Sequence, residues 1–197
     1  MGSFKSIVDS TRWNLKRIVR HFVPMRWRRV GKREPISMVL LLRKPHVFSE
    51  EEVRLAAERA WALSFSDIEG STRAVTRSGD TIFLNAGPHL LSFCDQPEPY
   101  ADNPKENLTW LTKMSQQRAW SEHTACGWVN YVNPETDVEL AQCVLAKLVV
   151  QLLDGNCTGV YSPSENSLIP ASESLYEDLQ RLASYRDSGL VSGGAPL

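Results

Sequence analysis

No apolar run in this 197-residue chain approaches the ~20 residues needed to span a bilayer as a helix. Charges interrupt the early apolar residues every two or three positions, so no secretory core segment is present. There is no C-x-x-C pair: Cys94, Cys126, Cys143 and Cys157 stand apart. Without a secretory segment they read as free thiols in a reducing, cytoplasmic compartment, and the sequons at Asn107 and Asn156 carry no weight. G-x-G-x-x-G, G-x-S-x-G, H-E-x-x-H and the phosphate loop are also missing. These absences remove the membrane-span and disulfide-scaffold classes and every reaction that announces itself by a motif. No catalytic residue, cofactor or metal is expected.

What is present is an ordinary globular composition, 42% hydrophobic and 23% charged, with a net charge of −1 that hides an uneven distribution. Residues 1–35 hold ten Lys/Arg against Asp9 and Glu34, a net +8. The remainder holds twelve Lys/Arg against twenty-one acidic residues, a net −9. Such a split points to an arm with its own partner, or to one that folds back on an acidic body. The expected organisation is a basic amphipathic arm over 1–35, one α/β domain over 36–185 and a disordered tail over 186–197.

Within the arm, Val8, Leu15, Ile18, Val19, Phe22 and Val23 recur at helical spacing and predict a helix over 7–23, stopped by Pro24. Arg12, Lys16, Arg17 and Arg20 flank that stripe, and Trp27, Arg28 and Arg29 follow in a basic linker. Trp13, Lys16, Arg17, Ile18, Arg20, Phe22, Trp27, Arg28 and Arg29 are therefore the candidate residues for a membrane interface or another anionic surface. The start MGSFKS also fits a myristoylation pattern, and the Arg-rich opening fits a transit peptide; both matter only in a eukaryotic host.

Ile36 to Pro45 reads as a first strand, apolar on both parities and so central in a covered sheet. Ser49 and Glu52 form a capping box that opens a helix. Three short strands follow, separated by Ser78-Gly79-Asp80 and Ala86-Gly87-Pro88. Asn103-Pro104 is expected to open a helix running to His123. A strand 126–132, a helix 136–154 boxed by Thr136 and Glu139, and a strand 157–161 read as a β-α-β unit, with a last helix near 170–184. The order α-β-α-β-β-β-α-β-α-β-α makes an α+β fold with an α/β-like second half: a mixed sheet with helices packed on it.

The segments SMVLLLRKPHVFSEEEV, FCDQPEPY, AWSEHTACGWVNYV and GVYSPSENSLIP together resemble a bacterial domain-of-unknown-function family, number four-two-six-one, over roughly residues 36–183. The resemblance implies a compact α/β domain in a bacterial cytoplasm and no activity. A bacterial origin would set aside the myristoylation and transit-peptide readings.

Strand ends are where open α/β sheets bind ligands. That rule selects Asn133, Ser162, Ser164, Glu165 and Asn166, joined by Arg43, Lys44 and His46 if the first strand runs parallel to the β-α-β pair. Cys126 with His123 is a weaker nucleophile-base candidate, oriented locally only by Glu122. His123 more simply caps a helix C-terminus in its positive form. Asn130, interrupting an apolar strand, is expected to tie down a loop. A zinc set of His89, Cys94, His123 and Cys126 fails on geometry, because His89 and Cys94, five apart on one strand, face opposite sides. A non-catalytic interaction or regulatory domain is thus the leading expectation, with an unidentified protein partner and an anionic membrane surface as its contacts. A small-molecule enzyme at the strand ends is the alternative. Nucleic-acid binding through the arm is the third, and the acidic body weighs against it.

Overall fold

The computed structural model describes residues 36–184 apart from 69–70, 107, 133–136 and 172. The arm, with the helix expected over 7–23, and the tail lie outside the described residues. Seven strands, β1 (Ile36–Leu42), β2 (Arg73–Ser78), β3 (Thr81–Ala86), β4 (His89–Gln96), β5 (Ala125–Tyr131), β6 (Cys157–Ser162) and β7 (Ser167–Pro170), form one sheet in the order β2-β3-β4-β5-β1-β6-β7. Among the described residues the α-helices are α1 (Glu50–Trp61), α2 (Met114–Glu122), α3 (Val138–Leu152) and α4 (Glu173–Ser184). The α+β class is as expected.

The sheet is not mixed. Every pairing between named strands is antiparallel. β5 and β6 do run the same way around α3, but β1 lies between them and opposes both. The composition of ISMVLLL explains the insertion. With both parities apolar, β1 suits the strand that is covered on each face, and all of Met38 to Leu42 is buried.

On the first face, Met38, Leu40 and Leu42 meet Val129, Leu91, Phe93, Ile82 and Val160 beneath α1, α3 and α4. The α1 box forms as read: Glu52 N–H donates to Ser49 Oγ at 3.1 Å and Ser49 N–H to Glu52 Oε2 at 2.7 Å. Ala62 ends the helix with φ of 53°. α3 is capped by Asp137, whose side chain accepts from Glu139 N–H, rather than by the expected Thr136, which is outside the described residues. Gly79 and Gly87, at φ of 61° and 62°, supply the left-handed turns of the two hairpins.

Two elements differ from expectation. The helix expected from Asn103 begins at Met114; before it the chain makes a turn at Asn103–Glu106 and a 3-10 turn at Leu108–Trp110. Thr109, Trp110 and Thr112 are indifferent helix formers, and burying Leu108, Trp110 and Leu111 on the sheet outweighs propensity. The second difference is β7, which pairs with β6 through the Pro163–Asn166 turn, with Asn166 at φ of 48°.

Both sheet edges are blunted. At β2, Ser66 N–H donates to Arg73 O and Ser66 O accepts from Val75 N–H, at 3.0 and 2.9 Å. At β7, Leu168 O accepts from Gln116 Nε2 at 2.9 Å, and Pro170 has no N–H to offer.

Candidate functional site

The expected ligand residues divide between opposite ends of the sheet. Because β1 opposes β5 and β6, Arg43 and His46 leave the end where Ala125 and Cys157 begin their strands. Ser162, Glu165 and Asn166 occupy the far end, and Asn133 is outside the described residues. The expected convergence at one edge is therefore not formed. Each group is instead occupied locally. Arg43 Nη1 donates to Gly155 O at 2.8 Å, and Thr124 Oγ1 donates to Arg43 O at 2.7 Å. Lys44 exchanges backbone bonds with the Asn156 side chain. At the other end Gln142 Nε2 donates to Glu165 Oε1 at 2.5 Å, and Tyr161 Oη to Asn166 Oδ1 at 2.9 Å.

His46 belongs to a cluster that the sequence reading missed. Gly127 makes it possible. A Cβ there would sit 3.2 Å from Phe93 and 3.4 Å from Phe48, so its absence lets the β1–α1 loop cross β5. Phe48 then lands on Phe93, ring centroids 4.7 Å apart. Phe48 N–H donates to Asp95 Oδ2 at 3.0 Å, and Phe48 O accepts from Arg77 Nη2 at 2.7 Å. Arg77 Nε also lies 3.4 Å from Glu50, and His46 Nε2 lies 3.1 Å from Glu52. Asp95 Oδ1 is buried without a hydrogen-bond partner. Burial pushes the Asp95 carboxyl up to about 6, against the pull of the Phe48 amide, Arg77 and His46. The arrangement pins a loop across the sheet and holds a proton to near neutrality. A sequence signal existed: His89, Leu91, Phe93 and Asp95 share one strand parity, which places an acid on the buried side.

The Cys126/His123 pair is structural. Burial pushes the Cys126 thiol up to about 12, which removes the thiolate a nucleophile needs. Both His123 nitrogens are engaged. Nδ1 bonds Trp120 O, and Nε2 accepts from Tyr100 N–H at 3.0 Å. A nitrogen accepting an amide proton cannot also carry one, and burial lowers the ring's affinity further, so His123 is neutral rather than cationic as expected. His89 pairs with Tyr131 Oη at 2.6 Å while Cys94 contacts Thr81, on the opposite face. Asn130 ties a strand, not a loop, through Ser92 Oγ at 3.3 Å. Among the described residues no group of three or more His, Cys, Asp or Glu is placed to hold a metal ion, and no helix is long and apolar enough to cross a membrane.

No family model, curated protein or solved structure matches the chain.

Proposed function

We propose that the chain is a non-catalytic interaction domain whose basic arm engages an anionic membrane surface, with the acidic body left for a protein partner. The charge partition carries this reading: +8 over residues 1–35 against −9 over the rest. The arm also places Ile18, Val19, Phe22 and Val23 on one helical stripe, which phosphate binding alone would not require. Trp13 and Trp27 suit the headgroup boundary, and each cation near an anionic leaflet contributes about 1 kcal/mol before screening. The resemblance of residues 36–183 to the bacterial family belongs to the same proposal and adds no activity; a cytoplasmic, membrane-peripheral location is its corollary. The occupied side chains at both sheet ends and the unreactive Cys126 favour this reading over the enzyme alternative.

Vesicle co-sedimentation of the full chain tests it. Binding is expected to require anionic lipid, to weaken with salt and to vanish in the I18D/F22D double variant. A chain that ignores anionic vesicles at low salt overturns the membrane reading.

A further inference from the structure

Trp110 and Trp120 meet on the second face of the sheet with ring centroids 5.0 Å apart and planes at 88°. Tyr100 backs this corner, 5.6 Å from Trp120 and 5.1 Å from Trp128, and Tyr161 lies 5.2 Å from Trp120. Trp120 is 5% exposed and Trp110 half-buried, so one wall is fixed and the other accessible. The same His123 bonds that silence its chemistry tie Trp120 to Tyr100, locking the end of α2 to the loop in front of it. In front of the corner lies an open depression of about 370 Å³, lined by Ala101, Asp102, Asn103, Glu106, Trp110 and Trp120.

The lining is chemically one-sided. The half-buried Trp110 is the accessible indole, a ring type whose face attracts cations, and Trp120, 5% exposed, stands behind it. Asp102 and Glu106 add two carboxylates, and among the described residues neither takes part in an ion pair. Asn103 Nδ2 makes only a long contact of 3.4 Å to Glu106. Among the described residues no basic side chain lines the depression. An anion would be repelled here, and a neutral apolar molecule would gain from the rings alone. A cation with an apolar surface gains from rings and carboxylates together.

We propose that this corner binds a compact organic cation of the alkylammonium class, a quaternary one above all. Quaternary nitrogen donates no hydrogen bonds, so it loses none on leaving water. Its methyl groups carry the spread charge onto the accessible Trp110 ring. The rings are held in place before binding, which keeps the ordering cost of the site low. Its lining residues all lie between Ala101 and Trp120. Its ligand chemistry has two sources, a free choline-like molecule or the trimethylated lysine side chain of a peptide.

Titration of the full chain with choline chloride, at ionic strength matched with sodium chloride, tests the proposal. The six tryptophan indole N–H signals are followed by NMR. Saturable shifts are expected at Trp110 and Trp120. The neutral isostere 3,3-dimethylbutan-1-ol is expected to bind about ten-fold more weakly, and D102N/E106Q to weaken choline about ten-fold while leaving the alcohol unchanged. Both carboxylates are exposed, so this variant keeps the fold. W110L, at a half-buried position, is expected to abolish the Trp120 shift. Titration with N-acetyl-trimethyllysine amide separates the sources: tighter binding than choline assigns the side chain, weaker binding the free molecule. Equal binding of choline and its neutral isostere, or no saturable shift at Trp110 and Trp120, overturns the site.

Discussion

The two faces of this sheet are finished differently. The first is predominantly aliphatic: Leu, Val, Ile and Ala pack under α1, α3 and α4, with Phe48, Trp61, Phe65, Phe93 and Tyr131 among them. The second carries rings, and polar groups lie buried in the sheet: Tyr100, Trp110, Trp120 and Tyr161 beside Val39 and Leu41, with Ser37, Ser92, Asn130 and Thr158 all buried. Its cover over β6 and β7 is one nine-residue helix and an irregular loop. Aliphatic burial is non-directional and scales with area, whereas ring contacts and hydrogen bonds depend on orientation. The first face therefore supplies bulk stability. The second supplies a shaped surface, and its integrity depends on a few bonds.

The sharpest way to break that comparison is to empty the first face. Leu145 is fully buried at the centre of α3, and Leu145→Ala is expected to cost about 3 kcal/mol in urea unfolding. A loss below about 1 kcal/mol would show that the helical layer is not the main support. The next effect is smaller and local. His123→Ala removes the bonds to Trp120 O and Tyr100 N–H, with an expected cost of about 1–3 kcal/mol. Hydrogen exchange is expected to quicken at Tyr100 and its loop while the amides of β1 and α3 keep their protection. Acceleration spreading to α3 would mean the two faces unfold as one unit.

The smallest effect has the opposite sign. Asp95 has a folded pKa near 6, above its ordinary value, so its carboxyl is neutral in both folded and unfolded chains at low pH and imposes no penalty there. The favourable protonated state is lost as pH rises through about 6, when the half-buried group ionises beside Glu52 with the Phe48 amide, Arg77 and His46 in partial compensation. Asp95→Asn keeps an acceptor for Phe48 N–H. It is expected to raise stability by about 1 kcal/mol at pH 7.5, after discounting for solvent, and by nothing at pH 4. Denaturation curves at the two pH values check this. A loss at pH 7.5 would mean that the charge itself holds the loop through Arg77.

Much of this architecture was legible in the residues. ISMVLLL announced a strand covered on both sides, Ser49 and Glu52 fixed the start of α1, and Gly79 and Gly87 marked the hairpins. The partners of β1 were not legible, because a strand apolar on both parities accepts parallel and antiparallel neighbours alike. That one ambiguity also misplaced the site, since the direction of β1 decides whether Arg43 and His46 share an end with Ser162, Glu165 and Asn166. β7 was hidden by Pro170, which argues against a strand unless the strand is an edge. The aromatic corner could not be read at all. Tyr100, Trp110, Trp120 and Tyr161 come from four separate stretches and meet only when the sheet has closed.

The central position of β1 sets an order of events in synthesis. Leu40 must pair with Gly127 on one side and Val160 on the other. A ribosome making this chain releases β1 early and its neighbours much later. In the interval the most apolar strand of the sheet is exposed on both faces and both edges, with only α1 and the β2–β3–β4 meander at hand. Non-local pairing of this kind slows folding and leaves the nascent chain open to association. The molecule is thus most vulnerable before its last third is made, when the strand that will anchor everything has nothing to hold.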